Sequence, residues 1–263
     1  MNYGFIGLGN MAGAIIRGMS KSGSFDEDRI YGINRSAEKT RRLSESCGLI
    51  PCGSIGELSE KCGVIVLCVK PQMLPDVLPA LSELPRGKTV LTIAAGKTLS
   101  WYEQRLPEGT PVVRVMPNMN ARVGASVSAV CGGSTASGQD IDIAKRVFSS
   151  VGEVYEIEEK LFPAFSAVCG ASGAFVLMYI DALSEAAVRA GFSRKTAEEL
   201  SAAVVLGTAK LKQESTEHPI ALMDSICSPG GTTIEGVLKL KELGFESAVH
   251  QGIQAIIDKD SRI

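Results

Sequence analysis

The sequence predicts an α/β protein in two parts: a doubly wound, mostly parallel sheet over residues 1–159 and an all-helical part over 160–263. Three observations carry this. Short apolar runs alternate with helical stretches through the first half, the pattern of repeated β-α-β units. A glycine-rich turn joins the first apolar run to the first helix. After Glu159 no strand-like alternation is convincing, and long helical patterns take over.

In order, residues 3–7 read as a strand, 11–21 as a helix, 29–33 as a strand and 36–47 as an amphipathic helix. The run GVIVLCV at 63–69 is continuously apolar, as expected of a strand buried on both faces. Residues 71–84 read as a helix broken at Pro75 and Pro79. Strands follow at 90–95, 112–116 and 125–130, then a helix at 141–150 and a short strand at 154–157. Right-handed crossovers make a doubly wound sheet the expected topology. In the second part, helices are expected over 161–190, 194–214, 220–225, 232–243 and 246–261. Breakers separate them at Gly191, His218-Pro219, Ser228-Pro229-Gly230-Gly231 and Gly244.

Composition narrows the function classes. Lys and Arg number 27 against 29 Asp and Glu, a net charge of −2, which argues against a general nucleic-acid binder. Seven cysteines, an odd number with no CxxC pair, argue against a disulfide framework or a zinc knuckle and for reduced thiols in a cytoplasmic core. Two histidines, His218 and His250, cannot build a His-rich metal site, so no metal is expected. The opening residues MNYGFI run into a strand without the pattern of a signal peptide. Residues 161–180 carry no charged side chain, which satisfies the length rule for a membrane span. Small residues dilute that stretch, and its helical period continues through Asp181, Glu185 and Arg189. The expectation is a helix buried in a soluble interface, with no membrane partner.

The segment Gly7-Leu8-Gly9-Asn10-Met11-Ala12 is G-x-G-x-x-A between strand and helix, the context a dinucleotide site requires. Gly7 permits the tight turn, Gly9 lets backbone approach a pyrophosphate, and Ala12 lets helix and sheet pack closely. The phosphates would meet free N–H groups at the helix start. This is a Rossmann-type arrangement. The second strand ends at Asn34-Arg35-Ser36, without the Asp or Glu that binds an NAD ribose. Arg35, with Lys39 a turn later, offers charge for a 2′-phosphate, so NADP(H) is favoured, with NAD(H) as the alternative cofactor. Three more motifs close strands at the end where open α/β sheets bind ligands: Cys68-Val69-Lys70-Pro71, Ala94-Ala95 within IAAGKT, and Met116-Pro117-Asn118. Far along the chain, Ser228-Pro229-Gly230-Gly231-Thr232-Thr233 opens a helix with hydroxyls and glycines, a place for an anion.

Taken together and in this order, GLGNMA, CVKPQ, IAAGKT, RVMPN and CSPGGTTIEGV resemble the pyrroline-5-carboxylate reductase family, and the resemblance spans the chain. It implies reduction of the cyclic imine 1-pyrroline-5-carboxylate to L-proline by NAD(P)H. It implies a Rossmann domain followed by a helical domain through which two chains, or pairs of chains in a decamer, self-associate. By the same resemblance Ile6, Gly7, Leu8, Gly9, Asn10, Met11 and Ala12 bind the pyrophosphate, and Asn34, Arg35 and Ser36 the adenosine ribose. Cys68, Val69, Lys70, Pro71, Ala94, Ala95, Met116 and Pro117 line the cofactor toward the nicotinamide. Asn118, Ser228, Gly230, Gly231, Thr232 and Thr233 hold the substrate, with the Thr233 hydroxyl facing the ring nitrogen, and two subunits share each site. The chain departs from the family where Gly173 stands for Pro, Phe175 for Tyr, and Met119-Asn120-Ala121 for Thr-Pro-Ala; Ile55 stands where Asn is frequent.

Reduction of a C=N bond needs the reacting carbons held about 3–3.5 Å apart, a held carboxylate and a proton on nitrogen. A cyclic imine can arrive protonated, so no strong acid is obligatory, and Thr233 is expected to orient rather than protonate. His218, before Pro219, is expected at a helix start. β-Hydroxyacid dehydrogenases also pair a nucleotide domain with a helical one, but they need a base, generally a Lys on the first long helix. Residues 161–193 contain no Lys. The alternatives left open are a non-catalytic NADP-binding regulator and a reductase of a related cyclic imine.

Overall fold

The structure, a computed structural model, describes residues 1–260. Elements run β1 Asn2–Ile6, α1 Asn10–Lys21, β2 Arg29–Ile33, α2 Ala37–Cys47, β3 Ile50–Pro51, α3 Ile55–Lys61, β4 Val64–Leu67, α4 Leu74–Val77, β5 Thr89–Thr92, α5 Leu99–Glu103, β6 Val112–Met116, β7 Ser126–Gly132, α6 Gly138–Ser149 and β8 Gly152–Glu156. Helices follow: α7 Phe162–Phe165, α8 Gly173–Arg189, α9 Arg194–Glu214, α10 Pro219–Ile226, α11 Thr232–Glu242 and α12 Phe245–Asp260. Ser261, where the expected last helix ends, lies outside the described residues.

One sheet holds all eight strands in the order β3-β2-β1-β4-β5-β6-β7-β8. Strands β1 to β6 pair in parallel, and β7 turns antiparallel against β6 before pairing in parallel with β8. The chain leaves β1 outward to β2 and β3, then returns to β4 on the other side. The reversal between β1 and β4 opens a crevice at the carboxyl ends of the strands, where such sheets bind ligands. The doubly wound reading therefore stands. Buried side chains form one layer on each face: Phe5, Ile15, Ile16, Met19, Val66 and Phe148 belong to one, and Ile65, Leu67, Leu74, Leu81 and Tyr102 to the other. A continuous apolar run such as VIVL in β4 is what a strand covered on both faces needs.

The chain divides into compact units Met1–Gly170 and Ala171–Lys259. The sequence sets its boundary at residue 160. The first unit runs further because Phe162 and Ala167, just past that point, are fully buried within it. Where a single helix over 161–190 is expected, the chain forms a 3-10 turn Glu159–Leu161, α7, a π turn Ser166–Ala171 and then α8. Pro163 occupies the first turn of α7, a position that needs no N–H, while Gly170 lies within the widened turn and Gly173 opens α8 just after it. The expected broken helix over 71–84 appears as two 3-10 turns flanking α4, interrupted at its prolines.

Two short helices and one strand were not read from the sequence. For α3 the signal existed: Ser54-Ile55-Gly56-Glu57 has the spacing of a capped helix start, and Ser54 Oγ accepts from Glu57 N at 3.0 Å. For β3, two residues long, and α5, five residues long, periodicity has no room to show.

The second unit is built differently. In α8 only Ser184 is buried, and in α9 only Ala197 and Ser201. These small residues let the two helices approach, and Ser184 Oγ donates to Ile180 O at 2.8 Å. No residue of α10, α11 or α12 is buried in the single chain. The apolar side chains of α8 and α9 stand open, Met178 at 70% and Leu206 at 72% exposure.

Candidate active site

The turn after β1 is built for an anion. Gly7 sits at φ +91°, in the left-handed region, and a Cβ there would fall 2.8 Å from Val69 Cγ1 and 3.0 Å from the Cys68 carbonyl oxygen. Gly9 is the N-cap of α1, and no side chain caps the helix. A Cβ on Gly9 would meet nothing within 4 Å. The amides opening α1 are thus uncapped beside open space, with the positive end of the helix dipole behind them. Ala12 is buried against the sheet, as its place in the motif requires. This geometry fits a pyrophosphate.

The neighbouring strand ends are tied to the same turn. Gly7 N donates to Ile33 O at 2.9 Å, and Leu8 N to Asn34 Oδ1 at 3.2 Å. Asn34 Nδ2 reaches Ser36 O at 3.4 Å. Cys68 N donates to Ile6 O at 2.9 Å, and Ile93 N to Leu67 O at 3.1 Å. The register Ile33, Ile6, Leu67, Thr92 thus sets the ends of β2, β1, β4 and β5 in a row. Segments Asn34-Arg35-Ser36, Gly7 to Ala12, Cys68 to Pro71 and Ala94-Ala95 all leave from that row. Arg35 is exposed, and its Nη2 lies 3.3 Å from Asp76 Oδ2.

Beneath the β5 loop, Thr92 Oγ1 donates to Tyr102 OH at 2.9 Å and accepts from Ala94 N at 3.4 Å. At the far end of the loop, Glu159 Oε1 accepts from Leu99 N at 2.7 Å and from Arg114 Nη1 at 3.0 Å. The Arg114 guanidinium lies 4.4 Å from the centre of the Phe162 ring, a cation–π contact. The pairing of Arg114 with Glu159 is not legible in the sequence, because partners 45 and 60 residues apart leave no local pattern.

After β6, Met116 and Pro117 are partly buried and Asn118 is 8% exposed. The resemblance puts Asn118 against substrate. In the structure Asn118 Oδ1 accepts from Asn120 N at 3.2 Å and from Val127 N at 3.3 Å. Its Nδ2 donates to Cys169 O at 2.8 Å. The amide oxygen and one amide hydrogen are therefore engaged within the protein itself.

In the second unit Gly230 adopts φ +67°, and Gly231 N donates to Ser228 O at 2.9 Å, closing a tight turn. Gly231 is the N-cap of α11 without a side-chain cap, and Ser228, Thr232 and Thr233 are exposed. Hydroxyls therefore surround a second uncapped helix start. His218 caps α10: its Nδ1 accepts from Ile220 N at 3.3 Å, the structural role expected of it.

Four of the thiols are poor nucleophiles. Burial pushes Cys62 up to about 12 and raises Cys68, Cys131 and Cys169. Among the described residues no group of three or more His, Cys, Asp or Glu could hold a metal ion. The strand-end loops of the first unit offer free amides and the exposed Arg35 guanidinium, which suit a dinucleotide. The Ser228-to-Thr233 turn of the second unit offers hydroxyls at an uncapped helix start, which suit a carboxylate.

Comparison with known proteins converges on the same reading. Residues 159–263 match the family model for pyrroline-5-carboxylate reductase dimerisation, and residues 2–96 match that for NADP oxidoreductase, coenzyme F420-dependent. A pyrroline-5-carboxylate reductase of Methanosarcina acetivorans is 37% identical over 93% of this chain and 91% of its own. The structure of such a reductase from Coxiella burnetii superposes with a TM-score of 0.94 at 28% identity, covering 99% of this chain and 97% of the other. One from Plasmodium falciparum, solved with NADP bound, gives 0.84 at 27% identity over 99% and 97%. With its dinucleotide-binding motifs set along one row of strand ends and nine-tenths or more of its length shared with these relatives, the chain belongs to the pyrroline-5-carboxylate reductase family.

Proposed function

We propose that this chain performs its family's reaction, the reduction of 1-pyrroline-5-carboxylate to proline, with the strand-end loops of the first unit holding NADPH and the Ser228-to-Thr233 turn holding substrate. The observation that carries the reading is the uncapped start of α1, with Gly9 opening onto free space. Gly7 through Ala12, following Ile6, take the pyrophosphate on backbone N–H groups. Asn34 and Ser36 face the ribose, and Arg35 exchanges its exposed partner Asp76 for the 2′-phosphate. Cys68, Val69, Lys70, Pro71, Ala94, Ala95, Met116 and Pro117 line the nicotinamide half.

When bound, NADPH supplies a hydride to the imine carbon, and the nitrogen becomes an amine carrying a proton acquired from water. Ser228, Gly230, Gly231 and Thr232 hold the carboxylate at the start of α11, where hydroxyls and the helix dipole favour an anion. The Thr233 hydroxyl accepts from the protonated nitrogen and sets the ring's orientation. A neutral hydroxyl has little acid strength, so this role is orientation.

The open apolar faces of α8 and α9 fit self-association of two chains, with larger assemblies built from that pair. The segment Glu159–Arg189 is long and apolar enough to cross a bilayer by length and composition. It falls within the residues matched to the dimerisation model, which favours a protein partner over lipid. We place the functional division between the two parts at residue 160 and the protein in the cytoplasm.

The test is a coupled measurement of NADPH consumption and proline formation from 1-pyrroline-5-carboxylate, with Thr233→Ser and Thr233→Ala. Thr233→Ser is expected to keep kcat/KM within about tenfold, and Thr233→Ala to lose about a hundredfold, the scale of one orienting contact. Equal activity in all three proteins removes Thr233 from the site.

A further inference from the structure

Asn118 carries an unusually full set of contacts for a side chain next to a reaction centre. It joins its own loop through Asn120 N, the start of β7 through Val127 N, and the sequence-distant π turn through the carbonyl of Cys169. Its backbone is held too, because Asn118 N donates to Ser126 Oγ at 3.3 Å, and Ser126 Oγ lies 3.2 Å from Ser128 Oγ. Asn118, Ser126 and Ser128 are themselves buried, while Val127 and Cys169 are half-buried and Asn120 is exposed. The acceptor on the far side is unusual as well. A π turn is widened by one residue relative to an α-helix, and such turns concentrate where proteins function.

We infer that Asn118 is a positioning residue for hydride transfer, acting through Met116 and Pro117 rather than by touching substrate. The inference rests on the reading that places Met116 and Pro117 beside the nicotinamide. Met116 ends β6, and Pro117 fixes its own φ, so the path of these two residues is set by where β6 ends and where Asn118 is anchored. Removing the anchor frees the second of those constraints. Misplacement of about 1 Å at a reacting centre can cost on the order of a hundredfold in rate, whereas binding through distant groups persists.

The direction of each contact gives the discriminating variant. Asn118→Asp keeps an oxygen for Asn120 N and Val127 N but turns an oxygen toward the Cys169 carbonyl, where a donor is needed. Asn118→Ala removes all three contacts. Ser126→Ala loosens the backbone anchor and leaves the amide in place.

Steady-state kinetics with 1-pyrroline-5-carboxylate, NADPH affinity by fluorescence titration, and the isotope effect with NADPH deuterated at C4 test this in the assembled protein. Asn118→Asp is expected to lower kcat by thirtyfold or more, with KM for 1-pyrroline-5-carboxylate and NADPH affinity within threefold of wild type. A misaligned transfer becomes more fully rate-limiting, so the isotope effect on kcat rises. Ser126→Ala shifts the same quantities the same way by a smaller factor. If Asn118→Ala does not fold, the other two variants decide the matter. A tenfold rise in KM for 1-pyrroline-5-carboxylate with kcat retained overturns the inference in favour of direct substrate contact. Retention of more than a third of wild-type kcat by folded Asn118→Asp also overturns it. Met116→Ala checks the underlying placement separately: an unchanged isotope effect and unchanged NADPH affinity in that variant reject the loop's position beside the nicotinamide, whatever Asn118 does.

Discussion

In the proposed site, Arg35 is the residue whose charge sets the choice between the two nicotinamide cofactors. It stands one position past Asn34 at the end of β2, where an acidic side chain would select a ribose hydroxyl, and its ion-pair partner among the described residues is the exposed Asp76. A pair that open to water contributes little, so a doubly charged phosphate displaces the carboxylate readily. Arg35→Ala is expected to lower kcat/KM for NADPH by about tenfold and leave the value for NADH within twofold, since a charge-assisted phosphate contact is worth about 1.5–3 kcal/mol. Equal losses with both cofactors would remove Arg35 from the phosphate site. The cofactor motif and Arg35 were legible in the sequence because the strand end fixes their place. The engagement of Asn118 was not, because its partner Cys169 is 51 residues away.

Cys62 makes a second residue-scale case. Burial holds its thiol up to about 12, so it stays protonated and unreactive in the folded protein at pH 8. Alkylation with mass-spectrometric readout should leave Cys62 unmodified until denaturant is added. The unfolded thiol ionises near its ordinary value, so the folded state binds the extra proton above about pH 9. The stability Cys62 contributes is therefore intact below that pH and is lost as pH rises toward 12. Urea midpoints should fall over this range in wild type and fall less steeply in Cys62→Ala. Rapid labelling of folded Cys62 at pH 8 would contradict its burial.

Among the elements, β8 has one position that admits only glycine. Gly152 opens it at φ +148°, and a Cβ there would lie 2.1 Å from the Ser126 carbonyl oxygen across the β7–β8 pair. Backbone cannot yield that distance, so Gly152→Ala should cost about 3 kcal/mol or more by chemical denaturation. Near-wild-type stability would mean that β8 pairs in another register. Strand alternation alone predicted a strand beginning at Val154, two residues late, because glycine at a strand start carries no hydrophobic signal. The π turn was likewise invisible. Its residues read as ordinary helix, and the widened backbone over Ser166–Ala171 leaves no mark on the apolar pattern.

Arg114 and Glu159 tie three elements together: β6, the start of α5 and the segment entering α7. Arg114 is buried, so removing the opposite charge leaves a guanidinium with poor compensation. Glu159→Gln retains an acceptor for Leu99 N and should cost about 2 kcal/mol. A cost below about 0.5 kcal/mol would place the pair in solvent rather than in the fold.

Across the whole molecule the two units obey different rules. The first closes a core on both faces of its sheet. The second, from Ala171 to Lys259, buries almost none of its apolar side chains in one chain. The sequence made the helices legible, since 3.6-residue periodicity survives without a core. It also made legible that 161–180 needs cover, because an uncharged stretch of that length cannot remain in water. Light scattering should therefore find no single-chain species in wild type, and Met178→Glu with Leu206→Glu should shift the mass downward. A monodisperse single chain in wild type would contradict the interface.

The proposed function turns on hydride passing from NADPH to the imine carbon of 1-pyrroline-5-carboxylate. The most direct measurement uses NADPH carrying deuterium at C4, in each of its two stereochemical forms, and examines the proline formed by NMR. Deuterium is expected at C5 of proline from one form and not the other. Proline without deuterium from either form, or NADPH bound and not oxidised, would contradict it.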